Sequence, residues 1–218
     1  MIGGALAPRG ADQARSGRQT HSPTTFLRDL GAAYRKSRRT TPIMDALVIH
    51  PYGETSKTPP TALHPKSTSI SIADYPKLVR LLRDAFPGHG AARSLAADPL
   101  RRVRRPDPDP RRQASAPTRT SGVPSATDAV SQTMQAAYYK QAIQLAYCQP
   151  TVSGLLFFHV SDEPDLDRWQ SGLFYADDTP KSSLEAVATA AQAAQAGTLT
   201  CPEGETKATA AAALALAA

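Results

Sequence analysis

The feature that most constrains the fold is a nine-residue apolar run, Val152 to Val160, followed directly by acids and then by a helix start. The run is far too short to span a membrane, and it lacks the polar alternation of a strand with one wet face. It therefore reads as a strand buried on both sides. Asp162, Glu163, Asp165 and Asp167 follow, then Trp169, Gln170 and Ser171, and a helix is expected from Ser182 to about Ala196 with Gly197 behind it. Buried strand, polar loop and covering helix make a βα unit whose chemistry belongs at the carboxyl end of the strand.

The same grammar recurs upstream. Ile2 to Ala7 suits a short strand. Ser22 caps a helix that has Pro23 at its first position and runs to about Arg35, with Phe26, Leu27, Leu30, Ala33 and Tyr34 on the apolar face. The cations Arg35, Lys36, Arg38 and Arg39 match the negative end of that helix dipole and read as a solvated terminus. Met44 to His50 is a second buried strand, closed by Pro51-Tyr52. A long polar loop, Gly53 to Ser71, precedes a helix from about Pro76 to Phe86. A further helix, capped by Ser125 or Thr127, ends at Gln149-Pro150, with Ala136, Ala137, Tyr138, Ala142, Ile143, Leu145 and Ala146 on its packed side.

Between these units the pattern breaks. From His89 to Thr120 no period of 2 or 3.6 survives, and eight arginines face three aspartates, close to the whole net charge of +6. A basic tract of this kind can hold phosphate, but it lacks interleaved aromatics. Pro106-Asp107-Pro108-Asp109-Pro110 also puts acids where a nucleic-acid arm needs none, so nucleic acid is not the expected partner. Cys148 and Cys201 form no metal motif; two unpaired thiols are expected, a disulfide being the alternative in an oxidising compartment. No apolar run reaches membrane length, the first residues do not read as a signal peptide, and no cofactor motif is present. Localisation stays open.

The strand ending in His159, the Asp162-Glu163-Pro164, Trp169 to Leu173 and the Asp178-Thr179-Pro180-Lys181-Ser182-Ser183 stretch resemble the last βα unit of bacterial (β/α)8 glycoside hydrolases. The branch resembled is the cellulase-like and xylosidase-like one, within the clan of retaining enzymes that use two glutamates. His50-Pro51-Tyr52 after a strand is similar to that family's sixth strand. The resemblance implies an α/β fold, a partial TIM barrel comprising the carboxyl-terminal half, strands five to eight, with a disordered central segment. Its parts are barrel units over 1–88, the unpatterned segment 89–122, a helix-strand-helix unit over 123–197 and a low-complexity tail over 198–218. It also implies a carbohydrate partner contacted by His50, Tyr52, His159, Glu163 and Trp169, open barrel edges able to self-associate, and full-length relatives that are secreted.

What the resemblance requires for catalysis is missing. A retaining enzyme needs two carboxyl groups about 5–5.5 Å apart. The family's Asn-Glu acid/base motif has no counterpart, since the chain contains no asparagine, and the nucleophile position is occupied by Arg102. With permitted codons, Ala96 to Arg105 read one base later spells LPILYDEFGV, a strand ending in the expected acid. Residues 89–122 are therefore expected to be a frame-shifted translation, which the nucleotide sequence decides.

Overall fold

The computed structural model describes residues 2–13, 20–87, 95–97, 130–165 and 169–202. Four parallel strands form one sheet in chain order: β1 (Ile2–Leu6), β2 (Ala46–Ile49), β3 (Leu95–Ala97) and β4 (Gly154–Leu155). Among the described residues four α-helices accompany them: α1 (Pro23–Lys36), α2 (Tyr75–Ala85), α3 (Gln132–Cys148) and α4 (Ser182–Gln195). Parallel neighbours require a crossover, and here α1 connects β1 to β2 and α3 leads into β4.

α1 starts as its sequence dictates: the Ser22 hydroxyl accepts from Thr25 N at 3.2 Å and Pro23 opens the helix. Leu27 and Tyr34 pack with Leu47 and Ile49 of β2 and with Leu78, Leu81 and Leu82 of α2. Phe26, expected on this face, is instead 41% exposed. One helical step turns about 100°, so with Leu27 pointing at the sheet its neighbour faces away. Gly31 lets the two helices touch, because a Cβ there would lie 2.6 Å from the Ala85 carbonyl oxygen. The basic end of α1 is not merely solvated: Arg35 donates to the carbonyls of Ala85 at 2.5 Å and Asp84 at 3.3 Å, closing the last turn of α2.

α3 is capped by Ser131, whose hydroxyl accepts from Met134 N at 3.2 Å. The earlier caps expected from sequence, Ser125 and Thr127, lie outside the described residues. Its inward row is Gln135, Tyr139, Ala142, Ile143 and Ala146. Tyr138 and Ala137, expected inside, are turned outward, and the Tyr138 hydroxyl donates to the Lys57 carbonyl at 3.0 Å. Tyr139, Ile143, Val187 and Ala190 make the second core, which Leu155 and Phe157 join.

Two other expectations change. Among the described residues the apolar run pairs in the ladder at Gly154 and Leu155, with Ala96 and Ala97 of β3. Beyond them burial still alternates: Leu155 and Phe157 pack toward the helices, whereas Leu156, Phe158 and Val160 are 68%, 46% and 70% exposed. The run is thus half-buried on one face and exposed on the other. Within 89–122, expected to be unstructured, Leu95–Ala97 supply the third strand. The rest of that segment, Arg102 included, and nearly all of the tail lie outside the described residues. Cys148 and Cys201 are also not free thiols but a disulfide, with Cα atoms 5.6 Å apart. Among the described residues no helix is long and apolar enough to cross a membrane.

Candidate functional site

The sequence-selected residues follow the carboxyl ends of β2 and β4. After β2, His50 N donates to the Leu6 carbonyl at 2.8 Å, so β1 fixes where the strand ends. The His50 and Tyr52 rings lie 6.1 Å apart at 51°. The loop behind them is held from below by α2. Lys77 Nζ donates to the carbonyls of His64, Ser67 and Ser69 at 2.8, 2.6 and 2.7 Å. Asp74 Oδ1 accepts from His64 N at 2.7 Å, and Asp74 Oδ2 sits 2.8 Å from His64 Nδ1 and accepts from Ser71 N at 2.9 Å.

Burial alone drives Asp74 toward its neutral form, but the donors from Ser71 and His64 outweigh it and hold its pKa below the ordinary carboxylate value. A depressed carboxylate pKa gives stability that is complete above the unfolded value, about 4, and that is lost as pH falls through the lower folded value. Acid titration of unfolding stability should therefore show a decline beginning near pH 4 that Asp74→Asn removes. An unchanged acid limb in that variant would count against the pairing.

After β4, Phe158, His159 and Trp169 form one aromatic group. Trp169 lies edge-on to Phe158 at 5.8 Å and to His159 at 6.4 Å. His159 Nδ1 is buried without a hydrogen-bond partner. Glu163 is half-buried; its N–H donates to the Trp169 carbonyl at 3.0 Å, and its carbonyl accepts from Gln170 Nε2 at 2.9 Å. Asp165 is exposed, and Asp167 lies outside the described residues.

The loop is organised by Lys181. Lys181 Nζ donates to Asp162 Oδ1 at 2.7 Å and to the Gln170 carbonyl at 3.1 Å, both charged side chains being almost fully buried. The same Asp162 oxygen accepts from Gly172 N at 2.9 Å, and Lys181 lies 5.4 Å from the centre of the Tyr175 ring. Asp162, one of the four acids that follow the apolar run, is thus committed to an internal ion pair. Gly172 is required by the close approach, since a Cβ there would stand 2.5 Å from Asp162 N. Beneath, the Tyr139 hydroxyl donates to the Ser171 carbonyl, and Ser171 Oγ donates to the Phe158 carbonyl at 2.5 Å. A Lys nineteen residues from its Asp carries no local signal, which is why pattern reading misses it.

The structure therefore brings His50 to Tyr52, and His159 to Trp169 with the Glu163 backbone behind it. Among the described residues no group of three or more His, Cys, Asp or Glu gathers as metal ligands would.

No protein-family model matches the chain, and no curated protein matches it. Among solved structures, the chain is similar to a thermostable mutant of a xylanase from Cellvibrio japonicus at 17% identity and a TM-score of 0.40. That match covers 78% of this chain and 45% of the xylanase, so the chain spans less than half of its length. Likeness of that degree does not fix a fold.

Proposed function

We propose that this chain is the carboxyl-terminal half of a (β/α)8 glycoside hydrolase scaffold that contacts carbohydrate without cleaving it. The observation that carries the reading is the placement of the site. Four parallel strands stand in chain order, and the His50–Tyr52 and His159–Trp169 groups follow the carboxyl ends of β2 and β4. That is the end where barrel enzymes carry their chemistry. The Trp169 indole beside the His159 imidazole offers a sugar an aromatic platform. Leu95–Ala97 stand between β2 and β4, where the resemblance puts the seventh strand; they lie inside the 89–122 segment expected to be frame-shifted, so this strand supports the barrel order and not the shift. No turnover is expected, because Asp162 is paired with Lys181 and the resemblance puts Arg102 at the nucleophile position.

Trp169 is the single tryptophan, so intrinsic fluorescence reports this site alone. Titration with xylo- and cello-oligosaccharides should give a saturable change in emission, weakened about tenfold, or ~1.4 kcal/mol, by His159→Ala. Aryl glycosides should stay intact. Hydrolysis above the buffer rate, or indifference to every sugar tried, would refute the reading.

A further inference from the structure

We infer that three buried side chains outside the aromatic group, Gln135, Tyr139 and Lys181, form a mount that fixes the direction in which Trp169 faces. The inference deepens the carbohydrate reading above and takes its ligand from it. Directly after Trp169, three consecutive backbone carbonyls each accept from a different side chain. Lys181 Nζ donates to Gln170 at 3.1 Å, the Tyr139 hydroxyl donates to Ser171, and Gln135 Nε2 donates to Gly172 at 3.4 Å. These donors are 4%, 0% and 1% exposed. They also hold one another. Gln135 Nε2 donates to the Tyr139 hydroxyl at 3.3 Å, and Ser183 Oγ, from the first turn of α4, donates to Gln135 Oε1 at 3.4 Å.

A turn that only linked two elements would run over the surface and leave its carbonyls to water. Burying a glutamine and a tyrosine hydroxyl on the packed face of α3 costs desolvation that apolar residues there would avoid. Here those groups fix a geometry. Lys181 and Tyr139 hold the carbonyls one and two residues beyond the indole, and the Trp169 carbonyl itself accepts from Glu163 N at 3.0 Å. Ser171, held by Tyr139, passes the constraint on, because its Oγ donates to the Phe158 carbonyl at 2.5 Å. The backbone under Trp169 and the backbone under Phe158 are thus set from one turn. The two rings stand 89° apart. A platform already held in its binding geometry has less freedom to lose when a ligand arrives. Gln135, Tyr139 and Lys181 therefore act as positioning residues, raising affinity without touching the sugar.

The test is Tyr139→Phe in the full chain, which keeps the ring edge-on to Phe157 and deletes the hydroxyl. In the folded variant, acrylamide quenching of the single tryptophan should rise about twofold, and affinity for xylo- and cello-oligosaccharides should fall about fivefold. Val187→Ala removes apolar volume from the same core and no hydrogen-bond donor, so it should leave both readings at their wild-type values. Wild-type quenching and affinity in folded Tyr139→Phe overturn the mount. Equal changes in Val187→Ala overturn it too, since they would mean a general loosening of the core. If Tyr139→Phe does not fold, Gln135→Met carries the same expectations and the same refutation. A wild type that binds no sugar sinks the carbohydrate reading instead, and quenching then decides the mount by itself.

Discussion

Replacing Lys181 with methionine is expected to lower the unfolding free energy by about 3–5 kcal/mol, the cost of leaving one charge of a buried pair without its partner. Asp162 would remain 6% exposed without the ammonium that balances its charge, and the Gln170 carbonyl would lose its ammonium donor. For a chain of this size the loss corresponds to a fall in Tm of about 10 °C. The effect should be specific to the imbalance. Removing both charges together, as Asp162→Leu with Lys181→Met, should recover much of the loss, because neither ion is then desolvated alone. Trp169 emission should shift to the red in the single variant, since Gln170 and Ser171 connect the ion pair to the aromatic group. Thermal unfolding within about 1 kcal/mol of wild type for Lys181→Met would show that the pair does not hold this loop.

The second large effect is expected from the disulfide. Cys148 ends α3 and Cys201 follows α4, so the bond closes a loop with a sequence separation of 53 that contains β4, the aromatic group and α4. Restricting the unfolded chain over a loop of that length contributes about 4 kcal/mol on the chain-entropy account. The bond also holds Leu199 against the second core and keeps the Thr200 carbonyl 2.6 Å from Gln144 Nε2. Urea unfolding of the oxidised protein and of Cys148→Ser with Cys201→Ser should differ by that amount. Titration of the unfolded, unreduced protein should find no free thiol. Two titratable thiols, or coincident unfolding curves, would contradict the bond.

Sequence alone determined the elements whose signals are local. The Ser22 cap and Pro23 start of α1, the end of β2 just before His50 and the helix that opens at Ser182 depend on contacts a few residues apart. Such contacts leave a period or a cap in the text. The tertiary structure alone decided the rest. Nothing near Asp162 announces Lys181, and nothing near Cys148 announces Cys201. Residues far apart become neighbours only after the chain has paid their loop-closure entropy, and closure depends on every element between them. The same holds for the register of α3, where Gln135 and Tyr139 reach the turn at Ser171 and Gly172 while Tyr138 turns to Lys57. It holds too for the apolar run after β4, whose composition implies two buried faces although the described fold covers only one.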